Sequence, residues 1–220
     1  VKVSLRVLAA LLAYPDARLR GHLAEMTRLL AGDGALSGSR LGELEALASR
    51  LAQGDPLDVE AQYVETFDRG RSTSLHLFEH VHGDSRDRGP AMVDLARTYA
   101  AAGLVLKEGE LPDYLPVVLE FASTQPPREA RAFLGEIAHL VNAIFSALLQ
   151  RGSPYAAVMG ALLDLAGEPA RAVEIPAEPA LDESWAEPPA FDGCASAGQA
   201  RPGEPRPVRI VRKDQTHGAP

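Results

Sequence analysis

Apolar residues recur at every third or fourth position through most of the first three quarters of the chain, the period of helices that each lay one side against a core. A first helix is expected from about Ser4 to Ala13, because Tyr14 precedes Pro15 and is driven out of the helical region. Asp16 then offers a side-chain cap to a second helix. Its Leu19, Leu23, Met26 and Leu30 share a face until Gly32-Asp33-Gly34 stops it. Leu44, Leu47, Ala48 and Leu51 form the stripe of a third helix, which Gly54 closes. Asp55-Pro56 opens a fourth: a side-chain acceptor for free N–H groups, followed by a residue that needs no N–H of its own. Val59, Tyr63 and Phe67 are its inward face.

Asp68 to Ser74, DRGRSTS, reads as a polar loop. A further helix begins at Pro90, with Val93, Ala96, Tyr99, Ala100 and Gly103 on one side. Gly103 to Pro116 has no period. Asp113 is positioned to cap the helix after it, which carries Tyr114, Leu115, Val118, Leu119 and Ala122; Pro116 is tolerated in its first turn. After Thr124-Gln125-Pro126-Pro127 comes the longest helix, Arg128 to Gln150, with Leu134, Ile137, Ala138, Val141, Ile144, Phe145 and Leu148 on one stripe. A last helix runs from Tyr155 to about Ala166. These elements predict an all-α fold, a single globular helical bundle over residues 1–166. From residue 167 to residue 220 the chain turns rich in proline and acids and loses all period, so it is expected to form a largely disordered tail in which Trp185 and Phe191 are the residues able to dock.

Composition agrees with helices: aromatics make up 5% of the chain, too few for a typical sandwich or barrel core. A net charge of -8 opposes a broad attraction to nucleic acid or anionic lipid. The single cysteine, Cys194, excludes an internal disulfide and a thiolate-rich zinc site, which suits the cytoplasm. Val7 to Tyr14 is the apolar run nearest the start and is far shorter than the ~20 residues that cross a bilayer, so no direct membrane insertion is expected.

Candidate chemistry concentrates in Ser74 to Gly89, SLHLFEHVHGDSRDRG, which holds three of the six histidines. His76 and His80 are four apart and would share a helix face, with His82 close by, a spacing able to hold a metal with Glu79 or Asp84. The order HExxH is missing, as are GxSxG, GxxxxGK[ST] and GxGxxG. The alternative is that His80 and His82 make polar contacts beside a loop and that His76 is partly exposed. Arg69, Arg71, Arg86 and Arg88 alternate here with Asp68, Asp84 and Asp87 beside Leu75, Leu77 and Phe78. They are either solvated loop charges or the wall of an amphipathic groove suited to a peptide.

Two blocks, YVETFDRGRSTSLHLFEHVHGDSRDRGPAMVDL from Tyr63 to Leu95 and GELPDYLPVVLEF from Gly109 to Phe121, closely resemble the nitrate reductase molybdenum cofactor assembly chaperones, the NarJ family, within the TorD-like redox-enzyme maturation chaperones. DESWAEPPAF, Asp182 to Phe191, is similar to the family as well. The resemblance implies an all-helical cytoplasmic chaperone with no catalysis of its own. Its partner would be the N-terminal segment of the nitrate reductase alpha subunit, and it would assist insertion of molybdenum cofactor into that apo-enzyme without holding the cofactor stably. The wider group carries an E-x-P-D-H segment linked to partner binding; Glu110, Pro112 and Asp113 match it, and Tyr114 stands in place of the histidine. Under this resemblance Tyr63, Phe67, Leu75, Phe78 and Tyr114 are candidate groove residues, while Asp68, Glu79, His80, Asp84, Asp113 and Glu120 are candidates to orient the peptide. For Tyr63 and Phe67 the competing role is core packing. The alternatives are a different molybdoenzyme as client, or a metal-dependent enzyme built on His76, His80 and His82; the oligomeric state stays open.

Overall fold

In the computed structural model, residues 1–83 and 85–173 are described, and the elements follow the capping chemistry closely. Helix α1 spans Lys2–Leu11. Asp16 accepts a hydrogen bond from the Leu19 N–H at 2.7 Å and starts α2, Ala17–Asp33, which ends on Gly34 in the left-handed conformation at φ 65°. Ser37 caps α3, Gly38–Gln53, and Asp55 accepts from the N–H groups of Leu57 and Asp58 to start α4, Pro56–Phe67. The expected polar loop contains a single 3-10 turn, Arg71–Thr73, and the short α5, Leu77–Val81, follows it. Helices α6 (Arg88–Ala101), α7 (Leu115–Thr124), α8 (Pro127–Gln150) and α9 (Ala156–Ala166) complete an all-α bundle. Among the described residues the only strand-like pairing is one antiparallel bridge between His76 and Tyr114.

Helix α9 sits deepest. Val158, Met159, Ala161, Leu162 and Leu163 are all within 1% of full burial, as expected of a helix that is apolar all round. It packs chiefly against α8, and also against α3 and α1; α1 packs against α7 and α2, and α2 pairs with α3. Helix α8 is long and apolar enough by composition to cross a membrane, but Leu134, Val141, Ile144 and Leu148 are spent on this core. After α9 the chain reverses at Gly167, φ 82°, and lies along α8: the Arg171 N–H donates to Asn142 Oδ1 and the Val173 N–H to Ser146 Oγ, both at 3.0 Å. Trp185, Phe191, Cys194 and the rest of the expected tail from residue 174 onward lie outside the described residues.

Helix α6 departs from expectation. Of its expected apolar side only Tyr99 is buried, while Val93 is half exposed. It is attached at its ends. Arg88 reaches Glu79 at 3.4 Å, and the Tyr99 hydroxyl donates to the Pro112 carbonyl at 2.8 Å.

Leu8→Ala, at a position with no exposed surface, is expected to lower unfolding free energy by about 2–5 kcal/mol in urea titration, whereas Val105→Ala, at an almost fully exposed position, should change it by less than about 0.5 kcal/mol.

Candidate functional site

The site grows out of the unpaired carbonyl groups at the end of α1. The Tyr63 hydroxyl, on the inward face of α4, donates to the Leu12 carbonyl at 2.7 Å and lies 3.3 Å from the Tyr114 hydroxyl. That bond satisfies a helix-end acceptor and fixes the phenol. Around it the rings close up: Tyr14 meets Tyr63 edge-on at 5.6 Å between centroids, Tyr63 lies 4.9 Å from Phe67, and Phe67 lies 4.9 Å from Tyr155. Leu75 and His76 face this set from the next segment. The result is a cleft of about 290 Å³ between α1, α4 and the start of α7, with Asp68 on its rim. Tyr14, nearly half exposed, also borders a second, shallower groove of about 610 Å³ along α4, lined by Leu57, Glu60, Val64, Glu65 and Arg69.

Two main-chain bonds hold the segment opposite. The Leu115 N–H donates to the Leu75 carbonyl at 2.8 Å, and the Leu77 N–H donates to the Asp113 carbonyl at 3.0 Å. The sequence leads one to expect Asp113 to cap the helix that follows it. Its carboxylate instead caps α5, accepting from the Phe78 N–H at 3.1 Å, and Tyr114 holds the extended N-terminal position of α7. Asp113 has no exposed surface; His76 Nδ1 lies at 3.4 Å and an Arg88 guanidinium nitrogen at 3.9 Å. A carboxylate out of water requires such donors and opposite charge. Asp113 therefore acts on the cleft through what it holds in place, the His76 ring and the first turn of α5. The His76 ring in turn lies 5.2 Å from Tyr114.

Of the residues singled out from sequence, Tyr63, Phe67, Asp68, Leu75 and Tyr114 line one cleft. Phe78, Glu79 and His80 stand half-buried on α5 beside it, with Asp113 beneath. Glu120 is exposed and belongs to a separate groove of about 360 Å³ with Lys2, Arg6, Tyr99 and Phe121. Asp84 lies outside the described residues. Sequence reasoning missed Tyr14, read only as the residue before a proline, and read His76 as a metal ligand or as partly exposed, which it is, without its contact to Asp113. The signal for Tyr14 was an aromatic side chain at a helix end, where a ring is free to lean on the next element. The histidines do not share a face: His76 precedes α5 and turns to Asp113, His80 Nε2 pairs with the Ser74 carbonyl at 2.8 Å, and the His82 ring packs edge-on against Phe78. Among the described residues no three or more His, Cys, Asp or Glu side chains converge as metal ligands.

The phenols stay neutral at physiological pH. Burial pushes the Tyr63 hydroxyl far above the usual tyrosine range. It raises that of Tyr114 as well, against the opposing effect of the bond from Tyr63. The Tyr14 phenol is raised chiefly by its hydrogen bond to Glu60 at 2.9 Å. The cleft thus offers apolar rings with neutral O–H groups inside and the Asp68 carboxylate at its rim.

Residues 35–160 match the model of the nitrate reductase delta subunit family. The chain belongs to that family. It is 46% identical over 164 residues to the nitrate reductase molybdenum cofactor assembly chaperone NarJ of Escherichia coli K12, an alignment covering 74% of this chain and 70% of that one. It is also 42% identical to the probable nitrate reductase molybdenum cofactor assembly chaperone NarW of the same organism, over 74% of this chain and 68% of that one. A solved structure, a putative redox enzyme maturation protein from Archaeoglobus fulgidus, shares the fold, with a TM-score of 0.51, 23% identity, and coverage of 74% of this chain and 91% of that one. The NarJ-type family sits within the TorD-like redox-enzyme maturation chaperones, so this chain is a chaperone for a molybdoenzyme and not an enzyme. The cleft lies inside the matched region for every residue but Tyr14.

Asp113→Leu should destabilise the fold by about 1–3 kcal/mol, because the Phe78 N–H and the Arg88 guanidinium lose their acceptor. Asp113→Asn, which keeps an acceptor for that N–H, should cost less than Asp113→Leu; urea titration of the two variants checks the order.

Proposed function

We propose that this chain binds the N-terminal segment of the alpha (catalytic) subunit of a respiratory nitrate reductase in the cytoplasm. It holds the apo-enzyme open while molybdenum cofactor is inserted and delays attachment to the membrane. The cofactor is cargo for the partner. The observation that carries the reading is the Tyr14–Tyr63–Phe67–Tyr114 cleft in a chain 46% identical to a protein named as the nitrate reductase assembly chaperone.

The chemistry suits a helical peptide. One or two apolar side chains of an amphipathic helix enter the cleft and are shielded by rings that are already ordered, so little side-chain entropy is lost on the chaperone's side. The half-exposed Tyr14 and half-buried Tyr114 supply most of the new contact, because Tyr63, Phe67 and Leu75 are at least 95% buried beforehand. These three are the floor and the first two are the jaws.

Calorimetric titration with a synthetic peptide of the cognate alpha subunit's N-terminus is expected to give saturable binding, and Tyr14→Ala and Tyr114→Ala should each weaken it about tenfold or more. A leader peptide from an unrelated molybdoenzyme should bind more weakly than the cognate one. Absence of heat at two temperatures, with the chaperone folded by circular dichroism, would sink this reading.

A further inference from the structure

The groove of about 360 Å³ that takes Glu120 lies away from the cleft. The cleft sits at the C-terminal end of α1 and the start of α7, whereas the groove is lined by Lys2 and Arg6 near the start of α1 and by Glu120 near the end of α7. Its floor is the Tyr99 and Phe121 rings, 4.8 Å apart between centroids. At its edge the connection after α6 holds out Val105, 94% exposed and the most exposed large apolar residue among those described. Lys2 and Arg6 stand one turn apart on α1, and Glu110 and Glu120 share the groove with them. All four are exposed, and among the described residues none of them makes an ion pair. Lys107 and Glu108 in the same connection are exposed and unpaired among the described residues too, so the region holds three cations and three anions in a chain of net charge -8. The charges next along the chain are already engaged, the Val1 amine with Asp33 and Arg97 with Asp94.

We propose that this groove is where two copies of the chain meet about a twofold axis. Val105 of each copy is seated over the Tyr99–Phe121 floor of the other, and Lys2 and Arg6 of each are set against Glu110 and Glu120 of the other. Two observations commit the occupant to a second copy. A twofold contact brings a patch against itself, so one patch has to carry both signs of charge and both a knob and a hollow, and this groove carries all of them. Charge balance is the second. Two chains of net charge -8 repel one another, and a region whose own charges cancel is where they approach with least repulsion. Removal of Val105 from water supplies the apolar part of the attraction. Because groove and cleft lie at opposite ends of α1 and α7, the pair leaves both clefts uncovered.

Sedimentation velocity of the full chain over about 5–500 µM at low salt is expected to show a monomer–dimer equilibrium with a dissociation constant of about 1–100 µM, weakened about tenfold or more at roughly 0.5 M salt. Arg6→Glu and Glu120→Arg, each folded by circular dichroism, should each stay monomeric across that range, because the contact between these positions then joins like charges. Mixed in equal amounts, the two variants should dimerise again with close to wild-type affinity, since both such contacts of the mixed pair join opposite charges. Val105→Asp should weaken the wild-type association by about tenfold or more. A wild-type chain that is monomeric throughout overturns the inference. A dimer that either charge reversal leaves intact overturns it as well, by placing the contact on another face. Variants that separate singly and fail to recover when mixed also overturn it. Each of these results leaves the peptide-binding reading standing.

Discussion

A carboxylate with no exposed surface has to be answered by the protein around it, and Asp113 is answered from three directions: the Phe78 N–H, the His76 ring and the Arg88 guanidinium. The aperiodic connection before α7, the start of α5 and the start of α6 all converge on that one group. None of these segments is long or apolar enough to fix its own position. Their order is set by the requirement that a buried charge keep its donors. The two main-chain bonds between residues 75–77 and 113–115 then follow, and with them the wall of the cleft.

The cleft depends on that arrangement from one side and on the core from the other. Tyr63 and Phe67 belong at once to the hydrophobic core and to the floor of the slot. Floor residues locked by packing present a surface that does not have to be ordered when a partner arrives. At its edges Tyr14, more exposed, is held by Glu60 and the Tyr63 ring, and α6 is attached through Arg88 and Tyr99.

Much of the bundle was legible in the sequence because its signals are local. Asp16 and Asp55 cap the helices they precede, Gly34 and Gly54 end the ones they follow, and the leucine stripes of α2, α3 and α8 repeat at the spacing that buries them. The blocks from Tyr63 to Leu95 and from Gly109 to Phe121 also named the family, which the match over residues 35–160 establishes. Five candidate site residues, Tyr63, Phe67, Asp68, Leu75 and Tyr114, line one cleft, while Glu120 from the same blocks lines another.

What the sequence determined by itself, then, was helix identity, helix ends and kinship, all properties of residues near one another in the chain or of the order in which they occur. The tertiary structure alone decided that Asp113 caps α5 and not the helix it precedes, that Glu120 faces a different groove, that the three histidines turn apart, and that Tyr14 leans over the slot. Each of these is a choice among partners that local rules leave equally available. A carboxylate near a helix start can serve any nearby N–H, and a ring at a helix end can lean on any neighbour. Only packing between segments tens of residues apart fixes which one it meets.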